Sequence, residues 1–191
     1  MLIVCLGWGS LVWDPRNLPT RGTWFKDGPF LPIEFARESE DGRLTLVIVE
    51  SPLPDSGTQP DFVRSLWVPL AVSTVDEAQG ALASREGCPP HRIGVWQKSA
   101  GISPPSLDRR IARWARRVGA DAVVWTNLPP KFRGRDNDIP NMEQMMQHLW
   151  GLSYQAWQNA ERYVRMAPRQ IDTYYRRHME KALGWRPLSS I

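Results

Sequence analysis

The chain has 191 residues, 42% of them hydrophobic, and a formal net charge of +4. It can bury a core in one domain, or one domain with an extension, and it is only mildly basic. No apolar stretch is long enough to span a bilayer, and the first apolar run lacks the basic leader and small-residue cleavage site of a signal peptide. Its two cysteines form no disulfide framework, so a reduced, cytoplasmic protein is expected.

Residues 1–6 are apolar and partly β-branched, the pattern of a buried strand. Gly7-Trp8-Gly9-Ser10-Leu11 follows. Two glycines one residue apart permit a tight turn whose amide N–H groups approach a ligand closely, a donor set suited to an oxyanion or carboxylate. A dinucleotide fingerprint needs a third glycine where Val12 stands, and Asp14-Pro15 and Pro19 interrupt any following helix. A nucleophile elbow needs its serine between the glycines, whereas Ser10 follows the second. An ordinary strand-end turn is the remaining alternative.

Residues 32–37 and 43–49 read as a hairpin joined through Asp41-Gly42. Residues 51–60 hold three prolines and form an exposed loop, and 63–72 read as one further strand. Thr74 caps a helix, with Glu77 completing a capping box and Ala78, Ala81 and Leu82 on its core face. Gly87 stops it, and Pro89-Pro90 prevents continuation. Residues 92–96 form another strand. Ser106 caps the next helix, with Leu107, Ile111, Trp114, Ala115 and Val118 on one stripe and Arg109, Arg110, Arg113, Arg116 and Arg117 on the other. A buried strand over 122–126 leads to a turn at Asn127-Leu128-Pro129-Pro130 and a polar loop over 131–140. Asn141 caps a long helix whose apolar face runs from Met142 to Ala160, weakened at Gly151. Ala167-Pro168 ends it, and a last helix over 169–183 stops at Gly184.

Gly7-Trp8-Gly9-Ser10-Leu11 followed by Trp13-Asp14-Pro15 resembles the N-terminal signature of gamma-glutamylcyclotransferase-like proteins, usually Tyr-Gly-Ser-Leu or Tyr-Gly-Ser-Asn. Trp8 stands where that family has tyrosine, keeping the ring and losing the hydroxyl. The resemblance covers roughly the first 125 residues. It implies an α+β fold in which a small, mixed, curled β-sheet barrel carries the pocket, with helices around it. Residues 1–126 would form that domain, and 127–191 a helical C-terminal extension that lids the pocket or makes a dimer.

The resemblance also implies a catalytic glutamate in a helix-to-loop segment, matched here by Leu82-Ala83-Ser84-Arg85-Glu86-Gly87, so Glu86 is the candidate. Ala83 replaces the family's usual aspartate, and the tyrosine that commonly follows Glu-Gly is missing. The implied reaction closes a five-membered lactam, 5-oxoproline, by attack of a substrate's α-amine on its own γ-carbonyl. One carboxylate can take a proton from the attacking amine and return one to the leaving amine. A helix C-terminus and burial both disfavour negative charge there, and Arg85 opposes them if it points inward. Backbone amides of Gly9, Ser10 and Leu11 are the natural oxyanion donors, and Gly7, Trp8, Gly9, Ser10 and Leu11 together form the expected substrate-binding turn. By spacing alone, Glu86 is also readable as a solvated helix-end residue.

Arg37 and Arg64 are further candidates for pairing a substrate carboxylate, with strand-face charge as the alternative. Asn127 either touches ligand or caps its turn. His91, His148 and His178 lack ligand spacing with the cysteines or carboxylates, so no metal and no cofactor are expected. The arginine-rich helices read as a solvated face or an interface rather than a nucleic-acid site. The expected partner is a small gamma-glutamyl-type molecule, with neither membrane nor nucleic acid, and a homodimer is compatible with the C-terminal helices. The alternatives are a non-catalytic binding protein using the same pocket, or a basic RNA- or partner-binding protein.

Overall fold

The structure, a computed structural model, describes residues 1–100 and 106–188. Its elements in chain order are β1 (Ile3–Gly7), β2 (Phe30–Glu38), β3 (Leu44–Ile48), β4 (Phe62–Arg64), β5 (Leu66–Pro69), α1 (Val75–Glu86), β6 (Ile93–Gln97), α2 (Ser106–Val118), β7 (Ala122–Thr126), β8 (Lys131–Phe132), β9 (Arg135–Asp136), α3 (Met142–Trp150), α4 (Tyr154–Met166) and α5 (Tyr174–Leu183). The fold is α+β, with two mixed sheets ordered β5-β1-β7-β6 and β3-β2-β8-β9, and β4 also paired to β2. The chain clusters into two compact units, one of Met1–Leu31 and Arg64–Leu128, the other of Pro32–Val63 and the chain from Pro129 onward. Among the described residues no helix is long and apolar enough to cross a membrane.

In the first unit, β1 lies between β5, antiparallel to it, and β7, parallel to it. All five of its residues are buried, which explains the unbroken apolar run. Side chains alternate across the sheet. Ile3 and Cys5 of β1, Val68 of β5, Ile93 of β6, and Ala122 and Val124 of β7 share a cluster with Ala78, Leu82 and Ala83 of α1. The opposite face carries Trp67, Trp96 and Trp125. There Trp114 of α2 meets the Trp67 ring edge-on at 5.5 Å, and the Arg116 guanidinium lies 5.9 Å over Trp96. The sheet is therefore sandwiched between α1 and α2.

The local signals at α1 hold in detail. Glu77 N donates to Thr74 Oγ1 at 3.2 Å, Thr74 N donates to Glu77 Oε2 at 3.3 Å, and Gly87 adopts the left-handed conformation at φ 64°. Its core face is Ala78, Leu82, Ala83 and Arg85, with Ala81 only half-buried. The cap expected at Ser106 lies outside the described side chains.

Gly94 pairs across strands with Trp125, and a Cβ there would overlap the Trp125 indole. That ring is 3% exposed and has no room to retreat. Gly94→Ala should therefore destabilise the protein by about 2 kcal/mol through overpacking, read as a lower urea midpoint. An unchanged midpoint would mean that the indole moves freely.

In the second unit the β2–β3 hairpin forms across the Asp41-Gly42 turn, with Gly42 at φ 81°. Phe35 of β2 meets Tyr163 of α4 edge-on at 6.2 Å. Glu34, also on β2, is fully buried. Its Oε1 accepts from Thr173 Oγ1 at 2.5 Å and from Phe35 N at 2.8 Å, and its Oε2 accepts from Tyr175 N at 3.1 Å. A strand carboxylate thus caps the N-terminus of α5, where helix donors are unpaired and negative charge is favoured. Burial nonetheless raises the Glu34 carboxyl to about 7.

The structure departs from expectation in five places. The apolar run over 63–72 is two strands broken at Ser65, which is buried and whose N–H and hydroxyl both donate to Pro29 O. The loop over 131–140 contains the β8–β9 hairpin, anchored by buried Phe132 and turned through Arg133 and Gly134 at positive φ. The long helix is two helices: α3 ends at Gly151, and the Ser153 hydroxyl accepts from Ala156 N to start α4. The last helix starts at Tyr174 rather than 169, because Thr173 is its N-cap. Within it Arg176 is not on a solvated face. It is 1% exposed and donates to the carbonyls of Ala167, Pro168 and Ile171 and to Glu180.

Candidate active site

At the carboxyl end of β1, the turn that follows Gly7 is held by Val12 N donating to Gly9 O at 3.0 Å and Asp14 N donating to Ser10 O at 2.8 Å. Gly7 is required by packing rather than by a left-handed backbone: a Cβ there would lie 2.6–2.7 Å from the Trp24 ring. Trp8 and Leu11 are each 5% exposed, so the turn is an integral part of the core. Among the described residues, the amides of Gly9, Ser10 and Leu11 donate to no protein acceptor. These amides are therefore available to solvent or to an oxygen acceptor.

Glu86 is the last residue of α1. Arg85, at a core position of the same helix, turns inward and joins the two segments. Its Nη2 donates to Ser10 Oγ at 3.2 Å and to Asp14 O at 2.7 Å, while its Nη1 pairs with Glu86 Oε1 at 2.8 Å. Side-chain exposures of 5% for Arg85 and 16% for Glu86 place this pair in a mostly dry environment, where a charge-assisted hydrogen bond is strong. Arg85 Nε is buried without a partner. Arg16, on the exposed side, donates to Arg85 O at 3.4 Å and covers the end of α1.

Cys5 lies close enough to feel both charges. Burial pushes its thiol well above the ordinary range, the Glu86 carboxylate adds to this, and Arg85 opposes it. A thiol held protonated in this way is not a nucleophile.

The parallel register of β1 and β7 pairs Cys5 with Val124 and brings Gly7 level with Thr126. Asn127 therefore emerges at the same sheet end as the turn, exposed, with its N–H donating to Arg92 O at 2.8 Å. The carboxyl ends of adjacent parallel strands are where ligands bind in open α/β sheets. Arg64 lies elsewhere in this unit, its guanidinium 4.4 Å over the Phe30 ring. Arg37 belongs to the second unit, donating to Pro129 O at 2.8 Å and pairing with Asp136 at 3.7 Å.

The sequence reading did not foresee that Ser10, Asp14 and Glu86 would share one guanidinium. The signal was present: Ala78, Leu82 and Arg85 recur at i, i+4 and i+7, so an arginine stands on the core face of α1. An open groove of about 720 Å³ in the second unit, lined among others by Arg169, Asp172, Arg176 and Arg177, contains none of the sequence candidates. It is lined by five basic side chains and two carboxylates, with Arg176 paired to Glu180 and Arg177 to Asp172. Among the described residues no three histidine, cysteine or carboxylate side chains converge as metal ligands. No family model, no curated protein and no solved structure matches the chain.

Proposed function

We propose that the first unit carries a gamma-glutamylcyclotransferase-like site, with its four-stranded sheet as the counterpart of that family's pocket-bearing barrel. One observation carries the reading. The Arg85 guanidinium binds the Ser10 turn through one nitrogen and Glu86 through the other, so a set of available amides and a carboxylate belong to one cluster. The substrate is a gamma-glutamyl amide or peptide.

Its α-nitrogen forms a bond to its own γ-carbonyl carbon, and the bond from that carbon to the leaving nitrogen breaks. An ammonium becomes a lactam N–H, so two protons leave the attacking nitrogen and two arrive on the departing amine. Glu86 relays one of them, and solvent exchanges the other. The Gly9, Ser10 and Leu11 amides hold the tetrahedral oxygen, and Asn127 stands at the rim of the same sheet end. Folding the substrate back on itself supplies up to ~7–11 kcal/mol in favourable cases. Trp8, within the turn, is buried. With Cys5 and Cys88 both unbridged, we place the protein in a reducing, cytoplasmic compartment.

Incubation with glutathione and simpler gamma-glutamyl amides should release 5-oxoproline, and Glu86→Gln should reduce that rate 10²–10⁴-fold. Turnover that survives Glu86→Gln would remove Glu86 as the proton relay. The ion pair itself favours a second reading, a non-catalytic binding site, because Arg85 already engages the carboxylate. Ligand-induced thermal stabilisation across the same panel with no 5-oxoproline would establish that reading instead.

A further inference from the structure

On the sheet face opposite α1, helix α2 presents Arg109, Arg110, Arg113, Arg116 and Arg117, all exposed, while Leu107, Ile111, Ala112, Trp114 and Ala115 are buried. Residues 109–117 contain no acidic side chain. At 100° and 1.5 Å per residue, the five arginines occupy an arc of roughly 120° over about 12 Å. Among the described residues, none of Arg109, Arg113, Arg116 and Arg117 is in an ion pair. Like charges this close repel one another, and among the described residues these four pair with no carboxylate. Their complement is a polyanion.

A second feature borders this face. Trp114 lies about 40° around the helix from Arg110 and about 60° from Arg117. Its ring meets Trp67 edge-on at 5.5 Å, and Trp67 stacks on Phe25 at 4.4 Å with an interplanar angle of 19°. Asp27 fixes both indoles: Trp67 Nε1 donates to its carboxylate at 2.7 Å and Trp114 Nε1 to its carbonyl at 2.9 Å. The ladder ends on Phe25, 48% exposed, with Phe30 also 46% exposed on the same unit. A rigidly backed, half-exposed aromatic ring, linked through two indoles to the helix that bears the arginines, suits a base stacked on the ring while the same strand's phosphates lie on the guanidiniums.

We propose that the α2 arginine face and the Phe25–Trp67–Trp114 ladder bind single-stranded nucleic acid. The arginines track the backbone and Phe25 stacks a base, giving little sequence preference. This surface is on the face of the sheet away from α1, and its occupancy does not depend on the chemistry at Glu86.

Fluorescence anisotropy with labelled twelve-nucleotide oligo-dT and oligo-U tests it on the full chain. Binding should weaken steeply between 50 and 300 mM salt, with a log–log slope of about −2 for three phosphate contacts. The double variant Arg113→Gln/Arg117→Gln should weaken binding at least tenfold and flatten the slope by about 1.4. Phe25→Leu should weaken binding about fivefold while leaving the slope unchanged, the separation expected of stacking and charge. Thermal melts of each variant confirm that it folds. Absence of binding at 50 mM salt overturns the proposal. So does equal binding of oligo-glutamate or of anionic vesicles with no effect of Phe25→Leu, which would make the face a general anion surface.

Discussion

Replacing Arg85 with methionine should lower the free energy of unfolding by about 3 kcal/mol, the cost typical of breaking a largely buried pair from one side. The substitution keeps the apolar stem and removes the guanidinium. Glu86, 16% exposed, then loses its counter-ion, and Ser10 Oγ and Asp14 O lose their shared donor. The unpartnered Nε already costs the native state something, which holds the loss below the upper end of the range for such pairs. The double variant Arg85→Met/Glu86→Gln should recover part of the stability, because the stranded charge is gone. Urea denaturation of the four proteins measures the coupling. A single variant within about 0.5 kcal/mol of wild type, or a double variant no better than Arg85→Met, would show that the cluster does not tie the turn to α1.

The second large effect is a pH dependence from Glu34. Its carboxyl titrates at about 7 in the folded protein against 4.5 for the ordinary group. Burial is the main cause, and the Thr173 hydroxyl and the Phe35 and Tyr175 amides oppose it. The Asp61 carboxylate adds a smaller upward push. Between pH 4.5 and 7 the folded state holds a proton that the unfolded state releases. This contribution is therefore complete below about 4.5 and is lost as the pH climbs through 7. The Thr173 hydroxyl can rotate to accept, so the protonated acid keeps that contact. The loss amounts to about 3 kcal/mol, at roughly 1.4 kcal/mol per pK unit. Glu34→Gln should remove this slope, so it should gain on wild type from about pH 4.5 to 7 and hold a constant difference above that. Parallel stability–pH curves for the two proteins would assign the titration to another group.

Where local chemistry decides structure, the sequence was readable. Thr74, Glu77 and Gly87 specify both ends of α1 within one turn of chain, and Asp41-Gly42 specifies the hairpin. Reading failed where a distant contact decides. Nothing within 63–72 shows that Ser65 will leave the strand, because its hydrogen-bond partner is Pro29, 36 residues earlier. Glu34 reads as one polar residue in an apolar strand, because Thr173 and Tyr175, which give it a role, lie 139 and 141 residues on. Arg176 reads as surface charge until the carbonyls of residues 167, 168 and 171 curl around it. The Gly7–Leu11 turn was legible as a turn, but the reason for Gly7 is the Trp24 ring, which periodicity cannot reveal. Gly151 weakens a helix on propensity alone, yet the break also needed the Ser153 cap.

The position of β1 between β5 and β7 bears on how the protein is made. Its parallel partner is not synthesised until Ala122–Thr126 emerges, more than a hundred residues after β1 itself. Until then a nascent chain carries a fully hydrophobic strand with one edge open to any neighbouring polypeptide. Ribosomes stalled before that point would release fragments prone to aggregate, and chaperone dependence during translation should concentrate on the first 120 or so residues rather than on the helices that follow.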